Sequence, residues 1–341
     1  MHLLDSLPQL DAWLAQRGQP AYRGGQILRW LFARRARRWD EMTDLPAGLR
    51  AELAEQFSVW STNTATHTRA DDGTEKLLLS LADGGQVECV LLRDRVRRTF
   101  CISTQVGCGM GCVFCASGLG GVERNLTTGE ILEQALQLQR RLEPDERLSH
   151  IVVMGMGEPL ANLDALLPAL ELVARDDGLG VSARRITIST VGLPKAIDRL
   201  AAECPRYRLA VSLHAPNDAL RSQIVPINAK TGLAELLAAA DRYFDASRRR
   251  LTFEYVLLAG INDRPDHARQ LARLLGRRTA IVNIIPYNPV VGLPYETPSS
   301  DAQRTFRAVL QEAGITVKFR HRKGHRIDAA CGQLRRRLND V

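Results

Sequence analysis

The sequence predicts an α/β fold: a parallel sheet covered by helices, in the form of an open or closed α/β barrel, preceded by a small helical domain and a β-hairpin. Three observations predict it. From residue 99 onward, short runs rich in β-branched and aliphatic residues alternate with amphipathic helical segments, as crossover-connected parallel strands require. Polar, glycine-rich and cysteine-bearing motifs stand just past the ends of those runs, where an α/β barrel carries its functional rim. Residues 1–65 instead place apolar side chains at helical spacing.

In chain order, LDAWLAQRG, YRGGQILRWLFARRARRW and LPAGLRAELAEQF read as helices separated by turn residues, including Asp44-Leu45-Pro46. Ile27, Trp30 and Leu31 share one face beside an arginine-rich one, and Trp30 and Trp39 read as core. Residues 66–98 turn strand-like, with Asp83-Gly84-Gly85 between two apolar runs as in a hairpin. The strand candidates that follow are TFCISTQ (99–105), HIVVMGM (150–156), RITIST (185–190), YRLAVSLH (207–214), LTFEYVLL (251–258), TAIVNIIPY (279–287) and ITVKFRH (315–321). Between them lie helical segments such as GEILEQALQLQRRL, LAELLAAADRYF and DAQRTFRAVLQEAG. The expected organisation is a helical domain over 1–65, a hairpin extension over 66–98, a barrel over 99–321 and a C-terminal segment over 322–341.

At 341 residues, the chain has room for one large domain and a smaller one. Its 45% hydrophobic and 25% charged content is that of a globular chain rather than a disordered one. No apolar run approaches the roughly 18 residues of a membrane span, and the N-terminal stretch has Asp5 and no basic region, which argues against a signal peptide. Seven cysteines, an odd number with four crowded together, do not form a secreted disulfide framework, so a reducing cytoplasm is expected. The net charge of +8 gathers at Arg29, Arg34, Arg35, Arg37 and Arg38, at Arg93, Arg95, Arg97 and Arg98, and at the C-terminal end from Lys318 to Arg326 and Arg335 to Arg337. Any one cluster could be a solvated face; three together favour a nucleic-acid partner.

The chemistry centres on CISTQVGCGMGCVFCASG, with Cys101 and the triplet Cys108-x3-Cys112-x2-Cys115. At seven cysteines in 341 residues, chance produces such a triplet in well under about one chain in a hundred. Thiolates are preferred ligands of iron–sulfur clusters, and three can hold three irons of a cubane while the fourth stays open. Structural zinc wants four closed ligands, and neither a second cysteine pair nor a His-x3–5-His partner is present. Past the other strand ends come Gly155-Met156-Gly157-Glu158-Pro159, Ser189-Thr190-Val191-Gly192, Ser212-Leu213-His214 and Pro286-Tyr287-Asn288-Pro289, which one rim would bring together. Gly155-x-Gly157 lacks the third glycine of a dinucleotide fingerprint. Its glycines would let backbone approach a ligand, and Glu158 could take an ammonium group. His214 reads equally as a ligand contact or a packed core histidine.

The triplet, with Phe114 beside its last member, resembles the signature of radical S-adenosylmethionine enzymes. The resemblance implies a partial (β/α)6-type barrel and one [4Fe–4S] cluster on Cys108, Cys112 and Cys115. S-adenosylmethionine would bind the open iron, with Gly157 and Glu158 at its amino group. VVMGMGEPL, SLHAPND, NIIPYNP and IDAACGQL, with YRGGQILRWLF and MTDLP near the N-terminus, narrow the resemblance to the RlmN type of adenine-C2 RNA methyltransferases and their C8-methylating relative Cfr. It covers nearly the whole chain. The RlmN type implies methylation at C2 of an adenosine in 23S ribosomal RNA and also in tRNA, with Cfr-like C8 methylation as the alternative.

By the same resemblance Cys331 carries the methyl group as S-methylcysteine, Cys101 resolves the RNA adduct through a transient disulfide with Cys331, and Glu88 is the proton acceptor. Ser189, Ser212, Leu213, His214 and Asn288 would contact S-adenosylmethionine. A flavodoxin-type reductant would supply electrons, and the chain would work as a monomer in the cytoplasm. The chemistry agrees: an adenine amidine carbon is electron-poor and offers no nucleophile to a sulfonium, and a paired disulfide can be reduced again in the cytoplasm. Read from its own surroundings, Cys331 would be a buried structural thiol and Glu88 a solvated strand position. Cys89 and Cys204 match no functional position and read as core.

One departure stands out. C2-type relatives commonly carry arginine, threonine, arginine and glycine and then two acidic or polar residues before Ile-Asp-Ala-Ala-Cys, where this chain has His321-Arg322-Lys323-Gly324-His325-Arg326. RNA contacts near Cys331 are therefore expected to differ. Two rivals come from other classes. A radical-generating activase acting on protein would need no Cys101/Cys331 pair, and a non-enzymatic zinc-bearing RNA-binding module would hold zinc without iron.

Overall fold

The computed structural model of the chain describes residues 1–276, 278–320 and 324–334. Each N-terminal amphipathic segment buries its apolar stripe: α1 (Leu7–Gln16) buries Leu10, Trp13 and Leu14, α2 (Tyr22–Phe32) buries Ile27, Leu31 and Phe32, and α3 (Ala47–Gln56) buries Leu49 and Leu53. The second helix stops well short of the expected Trp39. Arg34, Arg35, Arg37 and Arg38 would stand at like-charge i,i+3 and i,i+4 spacings if it continued, and the backbone instead turns at Arg35 with φ 61°. Trp39 is core, its indole N–H donating to the Phe57 carbonyl at 2.8 Å. Trp30 is only half-buried: its N–H donates to Asp44 at 2.5 Å and Arg34 stacks 4.2 Å from its ring centroid.

The extension is larger than the expected hairpin. β1 (Asn63–Arg69), β2 (Glu75–Ser80) and β3 (Gln86–Asp94) form an antiparallel meander, and β3 turns at Arg95 into β4 (Arg97–Cys101). β1 has no apolar face to read, since NTATHTR alternates between exposed and half-buried polar residues. The run expected as one strand over 99–105 divides. β4 ends at Cys101, and β5 (Gln105–Gly107) pairs instead with β6 (Val122–Asn125) in a separate two-stranded sheet.

The β/α rhythm follows: α4 (Thr128–Gln139), β7 (His150–Val153), α5 (Leu163–Ala174), β8 (Ile186–Thr190), α6 (Pro194–Glu203), β9 (Arg208–Ser212), α7 (Asp218–Ile224), α8 (Asn228–Ser247), β10 (Leu251–Leu257), α9 (Pro265–Leu275), β11 (Ala280–Pro286), α10 (Ser300–Glu312) and β12 (Val317–Phe319). Strands β4, β7, β8, β9, β10, β11 and β12 are parallel neighbours in that order, and the meander continues the same sheet beyond β4. β12 and β4 are not paired, so the barrel is partial and open. Period-two alternation sets its two faces: on β8, Ile186 and Ile188 enter the core under the helices while Thr187 and Ser189 are less buried.

The N-terminal helices dock on α4 through an ion-paired histidine. His2 Nδ1 lies 2.9 Å from Asp5 and Nε2 lies 2.5 Å from the buried Glu133, while Asp5 accepts from Thr127 and from the Gly129 N–H at 2.6 Å. Burial alone would lower the His2 pKa, but the bonds to Asp5 and Glu133 outweigh it and hold it at about 9. A folded pKa above the unfolded value of about 6.5 contributes stability that is complete below pH 6.5 and lost as pH rises through about 9. Thermal unfolding between pH 6 and pH 10 should show that loss in the wild type, and His2→Gln should remove it.

Candidate active site

The cysteine loop hangs from the β5–β6 ribbon. Gly107 has φ 79°, and a Cβ there would stand 2.1 Å from the Gly121 carbonyl, so the close crossing requires glycine. The Cys108 N–H donates to Gly121 O at 2.8 Å and the Cys115 N–H to Cys112 O at 3.1 Å. Cys108, Cys112 and Cys115 line one cavity together with Met110 and Phe114. Burial pushes the Cys108 thiol up to about 12 and raises Cys112 and Cys115 as well. These are protonated thiols, which metal binding would deprotonate. Among the described residues no group of His, Cys, Asp or Glu converges on a single metal ion. Ligands to three different irons of a cubane need not converge on one point.

The strand ends bring the other motifs to the same cavity. Gly157, Glu158, Ser189, Ser212, His214 and Asn288 all line it. Glu158 accepts from the Val191 N–H at 2.8 Å and the Leu160 N–H at 3.0 Å, with burial raising its pKa. Gly155 passes so close to β4 that a Cβ would meet Ser103 Oγ at 2.5 Å and Ile102 backbone at 2.8 Å. His214 sits in the left-handed region at φ 60°. The Val256 N–H donates to its Nδ1 at 3.1 Å, and burial with the nearby Arg221 lowers its pKa to about 3. The ring is therefore neutral and keeps its proton on Nε2. Leu213 departs from the set: its side chain is buried in the core, and only its backbone serves the rim, accepting from Arg221 at 3.0 Å.

This cavity suits the cluster and S-adenosylmethionine. Asn288 Oδ1 is buried without a hydrogen-bond partner among the described residues, and three thiols stand beside it. A ligand with polar donors would satisfy that oxygen, and soft thiolates suit iron.

Cys331 stands where two cavities meet. The first is the one just described. The second runs toward the opposite ends of the strands and is lined by Cys101, and both include Met154, Ile285, Asn288, Arg320 and Cys331 in their walls. Residues 324–334 are sewn in from several sides: Asn288 Nδ2 donates to Cys331 O at 3.2 Å, Ala116 N to Gly332 O at 2.8 Å, Ser117 Oγ to Leu334 O at 2.6 Å and Gln333 Nε2 to Pro289 O at 2.9 Å. Burial pushes the Cys101 thiol up to about 12, with Cys331 adding to the rise and Arg320 opposing it. His321, Arg322 and Lys323 of the divergent run, and the arginines from 335 to 337, lie outside the described residues.

Glu88 is buried rather than solvated. It shares a sheet face with Cys101 through the β2–β3–β4 register and pairs with Lys76 at 2.8 Å. Lys76 also donates to Asp328 O at 3.1 Å, so the pair supports the segment that carries Cys331. Removing Lys76 takes a close cation from a buried carboxylate. Lys76→Met should therefore cost about 3–5 kcal/mol, and Lys76→Met/Glu88→Leu should recover most of it, as urea unfolding would read.

Sequence reasoning missed three residues. Arg221 is fully buried and bonds Leu213 O, Ser212 O, Val191 O and Asn228 Oδ1, tying the ends of β8 and β9 together. Glu254 is buried in the cavity wall and accepts from Asn283 at 2.7 Å. Its signal was a carboxylate inside the apolar run LTFEYVLL. Arg320, in sequence one member of the basic run from Lys318, stands in the walls of both cavities. Cys89 is core as expected, while Cys204 is half-buried at its edge.

Two family models match the chain, the radical SAM superfamily over residues 102–273 and the ribosomal RNA large subunit methyltransferase N-terminal domain over residues 1–59. A relative from Rhodopirellula baltica named as a probable dual-specificity RNA methyltransferase RlmN is 64% identical, with the alignment covering 100% of this chain and 92% of the relative. A protein of the same name from Moorella thermoacetica is 49% identical, covering 96% and 95%. The crystal structure of a radical SAM methyltransferase from Sphaerobacter thermophilus superposes with a TM-score of 0.95 at 44% identity, covering 98% and 99%. With its open parallel barrel, its three-cysteine loop and a conjoined C-terminal cysteine, the chain belongs to the RlmN family of radical SAM methyltransferases.

Proposed function

We propose that this protein methylates C2 of an adenosine in 23S ribosomal RNA, and of an adenosine in tRNA, through a methyl group carried on Cys331. The observation that carries the reading is the place of Cys331, between the three-cysteine cavity and the cavity lined by Cys101. When bound, the [4Fe–4S] cluster and S-adenosylmethionine supply the methyl group and a 5′-deoxyadenosyl radical. Cys108, Cys112 and Cys115 would hold the cluster. Gly157, Glu158, Ser189, Ser212, His214 and Asn288 would surround S-adenosylmethionine, with the neutral His214 donating from Nε2 and Glu158 at the amino group.

On the substrate side, the methyl group on Cys331 would give one hydrogen atom to that radical, its carbon would bond to the adenine ring, and one electron would leave the adduct for the redox cofactor. Cys101 takes part in removing the ring proton and bonds to Cys331 sulfur. The sulfur–carbon bond breaks, its electron pair stays on the carbon, and protonation leaves a methyl group on the base. A cellular reductant then restores the two thiols, while a flavodoxin-type donor supplies electrons to the radical step. The buried, protonated state of Cys101 fits a group that becomes reactive only with substrate in place, and Arg320 favours its thiolate. Glu88 is the proton acceptor in this reading, connected to the site through Lys76. A monomer in the cytoplasm fits the seven free cysteines, and among the described residues no helix is long and apolar enough to cross a membrane.

Anaerobic incubation of reconstituted protein with S-adenosylmethionine and 23S rRNA or tRNA fragments, followed by nucleoside mass spectrometry, tests the assignment. The expected product is 2-methyladenosine. Finding 8-methyladenosine would transfer the chain to the Cfr-like reaction, and finding neither would remove the RNA assignment.

A further inference from the structure

The strands have a second set of ends, opposite the rim. The lumen faces that present Cys101 on β4, Met154 beyond β7, Ser189 on β8 and Ser212 on β9 present, four residues earlier, Arg97, His150, Arg185 and Arg208. These four residues line the outer part of the cavity that contains Cys101 and Cys331, joined by Lys318 and Arg320. Arg97, Arg185, Arg208 and Lys318 are exposed. The mouth of the barrel thus gathers cations, with Asp94 the one carboxylate among the described residues of its wall, and leads to Cys101 and Cys331.

Most arginines on the outer helices have carboxylate partners. Arg199 pairs with Asp164 at 2.6 Å, Arg242 with Asp198 at 2.8 Å and Arg175 with Asp177 at 2.6 Å. Arg93 and Arg98, beside the mouth in sequence, are tied to Glu146 at 3.0 Å and 2.5 Å. The mouth differs. Among the described residues the side chains of Arg185, Arg208 and Lys318 make no hydrogen bond or ion pair, and that of Arg97 donates only to His150 Nε2, at 2.9 Å. His150 keeps its other nitrogen 2.9 Å from Ser149 Oγ, and burial with Arg97, Arg185 and Arg208 pushes its pKa down to about 4. A neutral histidine gripped by an arginine fixes that guanidinium without cancelling its charge. The cations of this wall outnumber Asp94, and like charges in excess repel one another. An anion relieves the repulsion.

We infer that Arg97, Arg185 and Arg208 form a phosphate seat for the RNA strand flanking the nucleotide whose base reaches Cys331. The inference rests on RNA being the substrate. Guanidinium forks match phosphate oxygens, and a base whose ring carbon is modified must leave its stack, exposing the flanking backbone to such a group of cations. Phosphate contacts here position the strand and leave base choice to the inner cavity.

Binding of a 23S rRNA hairpin to the full chain, followed by fluorescence anisotropy across a potassium chloride series, tests this. Losing three phosphate contacts to single-stranded RNA should reduce the slope of log affinity against log salt by about 2. Arg97→Gln/Arg185→Gln/Arg208→Gln should show that change and bind at least about tenfold more weakly at low salt. Arg175→Gln/Arg199→Gln/Arg242→Gln, with the same change in net charge, should keep the wild-type slope. S-adenosylmethionine binding equal to wild type in both variants shows that the barrel is intact. A wild-type slope in the mouth variant overturns the inference while RNA binding and methylation by the wild type keep the substrate reading. A wild type that neither binds nor methylates the hairpin overturns both.

Discussion

Replacing Cys331 with alanine is expected to abolish methyl transfer to RNA while leaving the cysteine loop and S-adenosylmethionine binding in place. Among the described residues Cys331 is the one thiol in the walls of both cavities, so no other thiol is placed to take the methyl from one and deliver it to the other. Loss of a covalent carrier is expected to lower the rate by about 10⁴-fold or more, as for removal of other nucleophiles. The substitution should not unfold the segment. Its anchors are the backbone carbonyls of residues 331, 332 and 334 and the side chain of Gln333, none of which Cys331→Ala removes. Time courses of nucleoside methylation read the loss, and a decrease of less than tenfold would mean that Cys331 is a packing thiol.

The second large effect is qualitative. Cys101→Ala should leave methylation of Cys331 intact and stop the reaction at the next stage, with RNA covalently held on Cys331. Cys101 lines the second cavity and is absent from the one lined by Cys108, Cys112 and Cys115, so its loss is expected to spare the loading of the methyl group. A denaturing gel should show a protein–RNA species stable to heat in the variant and absent from Cys101→Ala/Cys331→Ala. Multiple turnover by Cys101→Ala would remove the resolving role.

Much of the barrel was legible because parallel strands buried on one face and half-buried on the other carry strong apolar runs, as in HIVVMGM, RITIST and TAIVNIIPY. The rim motifs were legible for the same reason: they followed those runs, and each contributes to the cavity wall, whereas Leu213, Cys101 and Glu88 do not line it. What could not be read was pairing. β1 has polar residues on both faces and shows itself only in its ladder with β2. The split of 99–105 depends on β6 offering β5 a partner, a contact between segments 17 residues apart by Gln105 and Val122. Glu88 reads as exposed because alternation cannot see that Lys76 stands diagonally across the β2–β3 ladder. The basic clusters were visible as composition but not as function. Only the structure separates Arg93 and Arg98, held by Glu146, from Arg97, which faces the mouth.

The account depends most on Cys331 being the carrier between two cavities. Anaerobic reaction with S-adenosylmethionine bearing a trideuterated methyl group, followed by mass spectrometry of the Cys331 peptide and of the RNA nucleosides, measures this directly. The account predicts deuterium on Cys331 before RNA is added and its transfer to adenosine afterwards, with loss of one deuterium when the carbon is activated. Deuterated adenosine formed while the Cys331 peptide never carries label would contradict it.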